Sequence, residues 1–236
     1  MSACPGAAAI ETAIAGVLTH LTERGPGGVL GVYLYGSTVV GGAQLDSDID
    51  LLVVTREALS VPERESLTRL LLNSSGWKGH ANTLPEAATR RPIELTSFAI
   101  GSTRPWEPEP RYDYQFGEWL RHEFLSGMVP GPTNDPDAVL LVATALAGQR
   151  TLHGPALSTL IAPVPEEKLR DAALAVIPAL REAIVGDERN VLLTLARIAV
   201  TVESGRIMSK DAAAEAVVTR LAARAVRCSN WHARHI

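Results

Sequence analysis

The sequence predicts an α/β domain followed by an all-α domain. In the N-terminal part of the chain, runs of β-forming residues alternate with helical patterns, whereas only helical patterns follow residue 165. Between the two parts, the segment from Pro155 to Pro165 is rich in proline. Strands and helices followed by helices alone are typical of two separately packed regions. We therefore place the two domains at residues 1–162 and 163–236.

The predicted sheet contains three strands, namely Val29 to Tyr35, Asp50 to Thr55 and Ile93 to Ile100. Each run is rich in residues that favour strands. The second run is almost wholly apolar, which indicates a central strand with both faces covered. The first strand ends at Gly36-Ser37, and Gly41-Gly42 follows as a second predicted turn.

The predicted helices carry apolar residues at helical spacing. In the first region they are Ala7 to Arg24, Pro62 to Leu72, Gln115 to Gly127 and Asp135 to Gly148, and in the second region Glu166 to Glu182, Glu188 to Ser204 and Lys210 to Arg227. A glycine-rich stretch after Arg24 ends the first of them. The proline-rich stretch from Gly101 to Arg111 is predicted to be a loop.

Composition and charge limit the classes of function. The 236 residues carry a formal net charge of -4, from 22 basic and 26 acidic side chains, which gives no general attraction to nucleic acid or to an anionic membrane. The 2 cysteines, Cys4 and Cys228, lie far apart, so they indicate neither a metal site nor a disulfide framework. We see no signal-peptide pattern and no apolar run close to the ~20 residues that span a bilayer. We expect a cytoplasmic protein.

The most informative segment is VYLYGSTVVGGAQLDSDIDLLVV, which begins at Val32. Asp48 and Asp50 stand at the entry to the apolar strand, and the alternation of a strand puts both side chains on one face. Two adjacent carboxylates repel each other and lose hydration, which a cation offsets. Mg²⁺ takes a few carboxylate oxygens and keeps positions for water and substrate phosphates. The pair therefore predicts a magnesium site, which Asp46 in the approaching turn could join.

Two further features belong to the same predicted site. Glu94 stands at the start of the next predicted strand, and it faces the same site if that strand lies beside the one that carries Asp50. Gly36-Ser37 ends the first strand. Glycine there allows the backbone to approach a phosphate closely, and a following helix would offer free N–H groups.

Each feature alone also has an ordinary structural explanation. A Gly-Ser pair after a strand is commonly a plain turn. A DxD sequence in a loop is commonly a solvated turn or a helix cap, and an isolated glutamate is commonly a solvated charge at the edge of a strand. The combination of the three, in this order along the chain, is far more specific than any one of them.

Gly36-Ser37 followed by Asp48-Ile49-Asp50 resembles the signature of the nucleotidyltransferase superfamily related to DNA polymerase β. Within it, the chain resembles the aminoglycoside adenylyltransferases that modify streptomycin and spectinomycin. The similar segments are LYGSTVVGGAQLDSDIDLLV, RPIELT, YQFGEWLRHEFLSG, GDERNVLLTLARI and SGRIMSKDAAAEA. The resemblance implies a nucleotidyltransferase domain with a small mixed sheet flanked by helices, then a helical bundle, with the active site in the cleft between the two.

The resemblance also implies a reaction, the transfer of AMP from ATP to a hydroxyl of the antibiotic with release of pyrophosphate. Asp48 and Asp50 match the aspartates that bind two Mg²⁺ ions. Glu94 matches the catalytic base beside the metal ions. Ser37, with Gly36, matches the residues that contact the phosphates of the nucleotide.

In the predicted helical domain, the resemblance implies nucleotide contacts by four residues, Asp187, Asn190, Arg197 and Lys210. Trp119 of the FGEW segment, together with Glu94 and Asp187, is expected to contact the drug. Taken alone, each of these residues has a simpler explanation. Arg197 resembles a snorkelling helix residue, Lys210 lies in a first helical turn, Asp187 suits a helix cap and Trp119 suits a core.

Two departures from the family pattern bear on substrate and stability. Members that take streptomycin have a further aspartate four residues before the GDERN aspartate, where this chain has Ala183 beside Glu182. This departure favours spectinomycin over streptomycin. In addition, the stretch from Cys228 to Ile236 does not resemble the longer helical tail of the family.

Two other functions remain open from the sequence. A nucleotidyltransferase that modifies a protein or RNA shares the GS…DxD pattern, although the FGEW and GDERN segments favour a drug acceptor. A non-catalytic relative, acting as a binding or antitoxin module, would be expected to lack a carboxylate, whereas Asp48, Asp50 and Glu94 are all present. We expect a monomer that binds a small-molecule antibiotic and ATP, with no nucleic acid or membrane partner.

Overall fold

A computed structural model describes residues 5–40, 47–107, 109 and 111–233. The contacts between residues divide the chain into two units, Met1–Pro163 and Val164–Ile236. Cys4, Asp46 and the predicted turn at Gly41-Gly42 lie outside the described residues, as does the side chain of Cys228.

The described strands of the first unit form two sheets. They are β1 (Val29–Tyr35), β2 (Ile49–Thr55), β3 (Ile93–Ala99), β4 (Arg111–Tyr112), β5 (Tyr114–Phe116), β6 (Thr133–Asn134) and β7 (Gln149–His153). The larger sheet has the order β5-β3-β2-β1-β7, and β4 pairs with β6. β2 and β3 are parallel, and every other neighbouring pair is antiparallel. This mixed sheet confirms the predicted fold class of the first domain.

The described helices belong to both units. In the first unit they are α1 (Pro5–Arg24), α2 (Ser37–Val40), α3 (Val61–Ser74), α4 (Arg121–Leu125), α5 (Asp137–Ala147) and α6 (Leu157–Leu160). In the second unit they are α7 (Glu166–Ala175), α8 (Ile177–Glu182), α9 (Glu188–Ser204) and α10 (Lys210–Ala233). None of the described helices has the length and apolar character needed to cross a membrane.

α1 and α3 pack against each other and against one face of the large sheet. The buried cluster on this face includes Ile14 of α1, Leu71 of α3, and Leu51 and Val53 of β2. Successive side chains of a strand point to opposite faces. Asp50 therefore points away from this cluster, so the predicted metal ligand does not compete with the main core for space.

The start of α3 shows why the sequence folds locally as predicted. The backbone N–H and the hydroxyl of Ser60 both donate to the carboxylate of Glu63, at 2.7 Å each, and Pro62 occupies the first turn. This arrangement is a capping box, which satisfies backbone donors that the helix leaves without partners. Glu63 also accepts the N–H of Gly27 at 3.0 Å, so the same carboxylate ties α3 to the turn before β1.

The segment predicted as one helix, Gln115 to Gly127, divides into a strand, a 3-10 turn and a short helix. Tyr114–Phe116 forms the edge strand β5, Glu118–Leu120 forms the turn, and only Arg121–Leu125 is α-helical. Aromatic residues suit a pleated surface, and the rings of Tyr114 and Phe116 are completely buried. Packing against β3 therefore overrides the helical pattern of the sequence.

Two other differences concern the C-terminal half. The predicted helix from Glu166 to Glu182 is interrupted at Val176, because Pro178 has no N–H to donate within a continuous helix and instead occupies the first turn of α8. The sequence does not predict β7, since its residues QRTLH lack the apolar character of a buried strand. β7 lies at the edge of the sheet beside β1.

In the second unit, α9 packs against both α7 and α10. The buried residues Val191, Thr194 and Ile198 follow the spacing of one helical face. The helix ends at Gly205, whose φ of 67° lies in the left-handed region that glycine adopts without steric cost. α9 is therefore a helix with one buried face and a half-exposed flank.

Candidate active site

The predicted site residues that lie on β1, β2 and β3, or directly beside these strands, are at one end of the central strands of the large sheet. β2 and β3 begin at this end, and β1 finishes there because it runs antiparallel to β2. Asp50 of β2 lies opposite Tyr35 of β1 on one side and opposite Glu94 of β3 on the other. Neighbouring residues in register share a face of the sheet. Asp50 and Glu94 therefore lie side by side on the face opposite α1 and α3, as the sequence predicts.

The aspartate pair stands where β2 begins. Asp50 is half-buried, Asp48 is exposed, and Ile49 between them is completely buried on the other face. The N–H of Ile49 donates to the carbonyl of Pro92 at 2.9 Å, and Arg91 Nη2 donates to the carbonyl of Ser47 at 2.5 Å. The segment before β3 thus holds the backbone on both sides of Asp48. Sequence reasoning missed this role of Arg91, although the residue is the first of the RPIELT segment.

Gly36 is fitted to the carboxylate of Asp50. Its φ is 73°, and a Cβ added at this position would stand 2.1 Å from Asp50 Oδ2. A side chain is therefore excluded both by the backbone conformation and by the approach of the carboxylate. The requirement for glycine is geometric, since the turn after β1 passes directly over the aspartate of the neighbouring strand.

Ser37 is the first residue of the short helix α2 and is exposed. The turn is closed by hydrogen bonds from Val39 N–H to the carbonyl of Gly36 at 3.2 Å and from Thr38 Oγ1 to the carbonyl of Tyr35 at 3.1 Å. These bonds fix the backbone of the Gly-Ser turn beside Asp50. The structure thus places Gly36 and Ser37 at the end of the central strands that carries the carboxylates.

The carboxylates suit a magnesium ion by their donor chemistry. Over the described ranges, no three histidine, cysteine, aspartate or glutamate side chains converge as a ready metal centre. Mg²⁺ does not require such a cage, because it is commonly held by one or two carboxylates together with water and substrate phosphates. The pair Asp48 and Asp50 fits this mode, and a third ligand from Glu94 stays a prediction.

Trp119 follows β5 in the 3-10 turn and is 56% exposed. Its indole lies over Gly117, where an added Cβ would come within 2.2 Å of the ring. Phe116 pairs with Leu95 of β3, so the chain leaves β5 beside the start of β3, which carries Glu94. Trp119 is therefore an exposed aromatic surface rather than a core residue.

The second unit brings three of its four predicted nucleotide residues into one hydrogen-bonded row. Asn190 Nδ2 donates to Asp187 Oδ2 at 2.9 Å, and Lys210 Nζ donates to Asn190 Oδ1 at 2.5 Å. Asp187 occupies the N-cap of α9, but its carboxylate accepts the side chain of Asn190 rather than a backbone N–H of the helix. Arg197 is half-buried and stands seven residues after Asn190, about two helical turns along the same flank.

Two family models match the chain over most of the residues just described. The model of a nucleotidyltransferase domain matches residues 14–96. The model of the C-terminal domain of aminoglycoside adenylyltransferases matches residues 159–230. The two matches fall on the sheet that carries the aspartates and on the helical unit, respectively.

The chain is also similar to curated proteins over most of its length. It is 41% identical over 187 residues to spectinomycin 9-adenylyltransferase of Staphylococcus aureus (strain N315), a match that covers 79% of this chain and 70% of that protein. It is 37% identical over 197 residues to aminoglycoside (3'')(9) adenylyltransferase of Escherichia coli, with 83% and 73% covered. The chain belongs to the aminoglycoside adenylyltransferase family.

A solved structure of this family has the same fold. It is the crystal structure of spectinomycin adenyltransferase from Enterococcus faecialis with ATP and spectinomycin, which matches with a TM-score of 0.77 at 28% identity. The match covers 89% of this chain and 82% of that chain. The nucleotidyltransferase fold and the helical C-terminal region, both expected from the resemblance, are thereby confirmed.

The position that departs from the streptomycin-accepting members of the family lies at the end of α8. Glu182 is the last residue of this helix and Ala183 follows it, and both residues are exposed. Four residues after Ala183, Asp187 occupies the N-cap of α9. The adenylyltransferase thus presents a methyl group where those members have a carboxylate.

Proposed function

We propose that the protein transfers AMP from ATP to a hydroxyl of an aminocyclitol or aminoglycoside antibiotic and releases pyrophosphate. The preferred acceptor in this proposal is spectinomycin. The observation that carries this proposal is the register of β2 and β3, which sets Asp50 beside Glu94 on one face of the sheet. Membership of the aminoglycoside adenylyltransferase family supports the acceptor, because the relatives are named for spectinomycin and aminoglycosides.

The reaction requires a nucleophile, a leaving group and a place for the proton. A hydroxyl oxygen of the drug attacks the α-phosphorus of ATP, the bond from this phosphorus to the bridging oxygen breaks, and pyrophosphate leaves. Glu94 takes the proton of the hydroxyl as general base. The half-buried position of Glu94 at the start of β3 suits this role, since it is held by the sheet and still reachable by substrate.

Asp48 and Asp50 would hold Mg²⁺, two ions in the full site, with Glu94 as a further ligand. When bound, two such ions stabilise the attacking and the leaving oxygens of an in-line displacement. Asp50 is oriented by the backbone of β2 and by the close approach of Gly36. Asp48 is oriented by the neighbouring Ser47 and Ile49, whose backbone groups are hydrogen-bonded to the segment before β3.

The nucleotide would be bound by Gly36 and Ser37 of the first unit and by four residues of the second, Asp187, Asn190, Arg197 and Lys210. The row formed by Asp187, Asn190 and Lys210 supports their assignment to one task. Arg197 and Lys210 supply positive charge for the phosphates. Because Lys210 is already oriented by Asn190, little side-chain entropy would be lost when it binds a phosphate.

The acceptor would contact Trp119, Glu94 and Asp187. An exposed indole offers a flat apolar surface to the ring of a drug, and carboxylates attract its amino groups. Ala183 favours spectinomycin, because a polycationic acceptor such as streptomycin gains less from a methyl group than from a carboxylate. Glu182 beside it is the acid closest in sequence that could substitute.

We further propose that the enzyme acts as a monomer in the cytoplasm, with residues 1–162 and 163–236 as its domains. The first two of these expectations, the monomer and the cytoplasmic location, are separate from the chemistry. Sedimentation at several protein concentrations tests the first, and a dimer at all concentrations would refute it. Fractionation of cells that express the native chain tests the second.

The decisive experiment measures pyrophosphate release with ATP and Mg²⁺, with spectinomycin and streptomycin added separately. Release with spectinomycin alone is the expected result. Release with both drugs would show that Glu182 or another acid replaces the missing aspartate. Release with neither drug, while ATP still binds, would refute a drug acceptor and favour a protein or RNA acceptor. An Asp50→Asn variant, in which release should stop, excludes a contaminating enzyme that cleaves ATP to AMP and pyrophosphate.

A further inference from the structure

A buried ionic cluster lies beside the acceptor side of the proposed site. At its centre, the Glu118 carboxylate accepts Arg121 Nε at 2.7 Å and Arg121 Nη2 at 2.9 Å. It also accepts the hydroxyl of Ser75 at 2.5 Å and lies 2.9 Å from His80 Nε2. The side chain of Glu118 is 8% exposed and that of Arg121 is 4% exposed. These four residues, Ser75, His80, Glu118 and Arg121, are called the Glu118 cluster below.

The Glu118 cluster joins three segments that are distant in sequence. Ser75 Oγ accepts the N–H of Ile93 at 2.9 Å, which fixes the first residue of β3. Arg121 donates to the carbonyls of Leu72 at 3.1 Å and Ser75 at 2.9 Å, which fixes the end of α3. Glu118 itself lies in the turn after β5.

Both ends of this connection adjoin a residue of the proposed site. Ile93 immediately precedes Glu94, the proposed base, and Glu118 immediately precedes Trp119, the proposed acceptor surface. The path from one to the other consists of two hydrogen bonds through Ser75. The Glu118 carboxylate is thus linked by hydrogen bonds to the backbone next to the base, and by the chain itself to the indole.

Stability alone does not explain an ion pair at this position. Burying two charges costs several kcal/mol of hydration per ion, and well-packed apolar residues often stabilise a fold equally well. What a saturated polar cluster supplies is a defined geometry, because each carboxylate oxygen has two fixed partners. That geometry is of use where the substrate must be held within a fraction of an ångström.

We propose that Glu118 is a positioning residue for the acceptor, which sets Trp119 relative to Glu94 through Ser75 and Arg121 and leaves nucleotide binding unaffected. This proposal rests on the proposed function, in which the base and the acceptor surface are Glu94 and Trp119. It differs from a purely structural role because it predicts an effect on one substrate and not on the other.

The test compares two variants of the cluster with a matched control. Glu118→Gln keeps the shape but removes the charge, and Ser75→Ala removes only the link to Ile93. The control is Asp113→Asn in a second buried ion pair, in which Asp113 Oδ1 lies 2.5 Å from Arg64 Nη2 with side chains 6% and 5% exposed. The backbone N–H of Asp113 donates to the carbonyl of Ser97, which lies in the second half of β3, away from the end that carries Glu94.

Steady-state kinetics at temperatures equally far below each melting temperature give the first readout. We expect Glu118→Gln to raise the KM for spectinomycin and lower kcat, with a combined loss on the order of 100-fold in kcat/KM. We expect a smaller loss in the same direction for Ser75→Ala, and an ATP Kd within about twofold of the native value for both variants. Asp113→Asn should lower the melting temperature and leave the KM for spectinomycin unchanged.

A second readout does not depend on activity. The chain has 4 tryptophans, so fluorine NMR of protein labelled with 5-fluorotryptophan has a resonance for Trp119 that a Trp119→Phe variant assigns. We expect Glu118→Gln to shift or broaden this resonance and Asp113→Asn to leave it in place. An unshifted Trp119 resonance with an unchanged KM for spectinomycin would overturn the proposal, and so would an equal rise in that KM in Asp113→Asn. If the native protein released no pyrophosphate with either drug, the proposed function would fail, and the resonance would still decide whether Glu118 positions Trp119.

Discussion

The carboxylate of Asp50 lies against the Cα of Gly36. A Cβ added at Gly36 would stand 2.1 Å from Asp50 Oδ2, well inside the distance at which atoms repel. The turn that ends β1 and the aspartate at the start of β2 are thus a single fitted unit. Any side chain at residue 36 must displace the carboxylate that we assign to Mg²⁺.

Replacing Gly36 with alanine should therefore affect catalysis more than stability. The φ of 73° costs a non-glycine residue roughly 1–3 kcal/mol. The displaced carboxylate should lower kcat by at least about tenfold and raise the Mg²⁺ concentration needed for half-maximal rate. A magnesium titration of pyrophosphate release measures both. Gly101→Ala is the matched control, because an added Cβ there meets nothing within 4 Å. Equal activity in the two variants would contradict the assignment of Asp50.

Glu94→Gln should separate binding from chemistry. The amide keeps the size of the side chain but cannot accept the proton of the hydroxyl. We expect turnover to fall by about 100-fold or more while calorimetry shows ATP binding close to native. Glu65→Gln, an exposed change on α3, serves as the control. Full turnover in Glu94→Gln would remove this residue from the role of base.

Lys210→Met should weaken binding of the nucleotide rather than binding of the drug. The variant keeps the length of the side chain but removes the ammonium that Asn190 orients. Hydrogen bonds to charged groups contribute about 1.5–3 kcal/mol, so the ATP Kd should rise about 10- to 100-fold. Arg189→Met, on an exposed residue in the first turn of α9, controls for the loss of one positive charge. An unchanged ATP Kd in Lys210→Met would assign the row of Asp187, Asn190 and Lys210 to the structure of the helical unit alone.

Glu118 should make the stability of the protein depend on acid pH. Burial raises its pKa, but hydrogen bonds from Arg121 and Ser75, with His80 adjoining, outweigh burial and hold the pKa below the ordinary value of 4.5. A depressed folded-state pKa contributes stability that is present above pH 4.5 and is lost as the pH falls through the folded-state pKa.

The melting temperatures of native protein and Glu118→Gln, measured between about pH 3 and pH 7, test this dependence. Their difference should be largest near neutral pH and should shrink below pH 4.5. Glu123→Gln, an exposed change on α4, should show no such pH-dependent difference. A difference that stays constant across this range would show that the charge of Glu118 is not what the cluster requires.

The parts of the fold that sequence predicts best are those where local preference and burial agree. Val29–Tyr35 is both rich in β-forming residues and buried, and α9 runs from Glu188 to Ser204 as its apolar spacing predicts. The pairing of Asp50 with Glu94 follows from two strands that each carry a carboxylate as the second residue, once those strands are parallel neighbours. The neighbour relation itself is a property of the sheet, which the sequence indicates only through resemblance.

The remaining features depend on contacts between distant segments. Tyr114–Phe116 becomes a strand because it pairs with the outer side of β3. The polar β7 forms because it pairs with β1 at the opposite side of the sheet. The Glu118 cluster unites residues up to 46 positions apart, from Ser75 to Arg121. No local pattern marks a serine, a histidine, a glutamate and an arginine as partners. The role of Arg91 could not be predicted from the sequence for the same reason, since its partner Ser47 lies 44 positions away.

The central place of β2 in the sheet has a consequence for partial unfolding. β2 is hydrogen-bonded on both sides, whereas β5 has a neighbour on one side only and is three residues long. Short edge strands open at lower free energy than central ones. In mild denaturant, the turn that carries Trp119 should therefore loosen while Asp50 is still held. The enzyme would then stop binding the drug at a lower denaturant concentration than the nucleotide. Slow hydrolysis of ATP by water would continue under conditions in which transfer to the antibiotic has ceased.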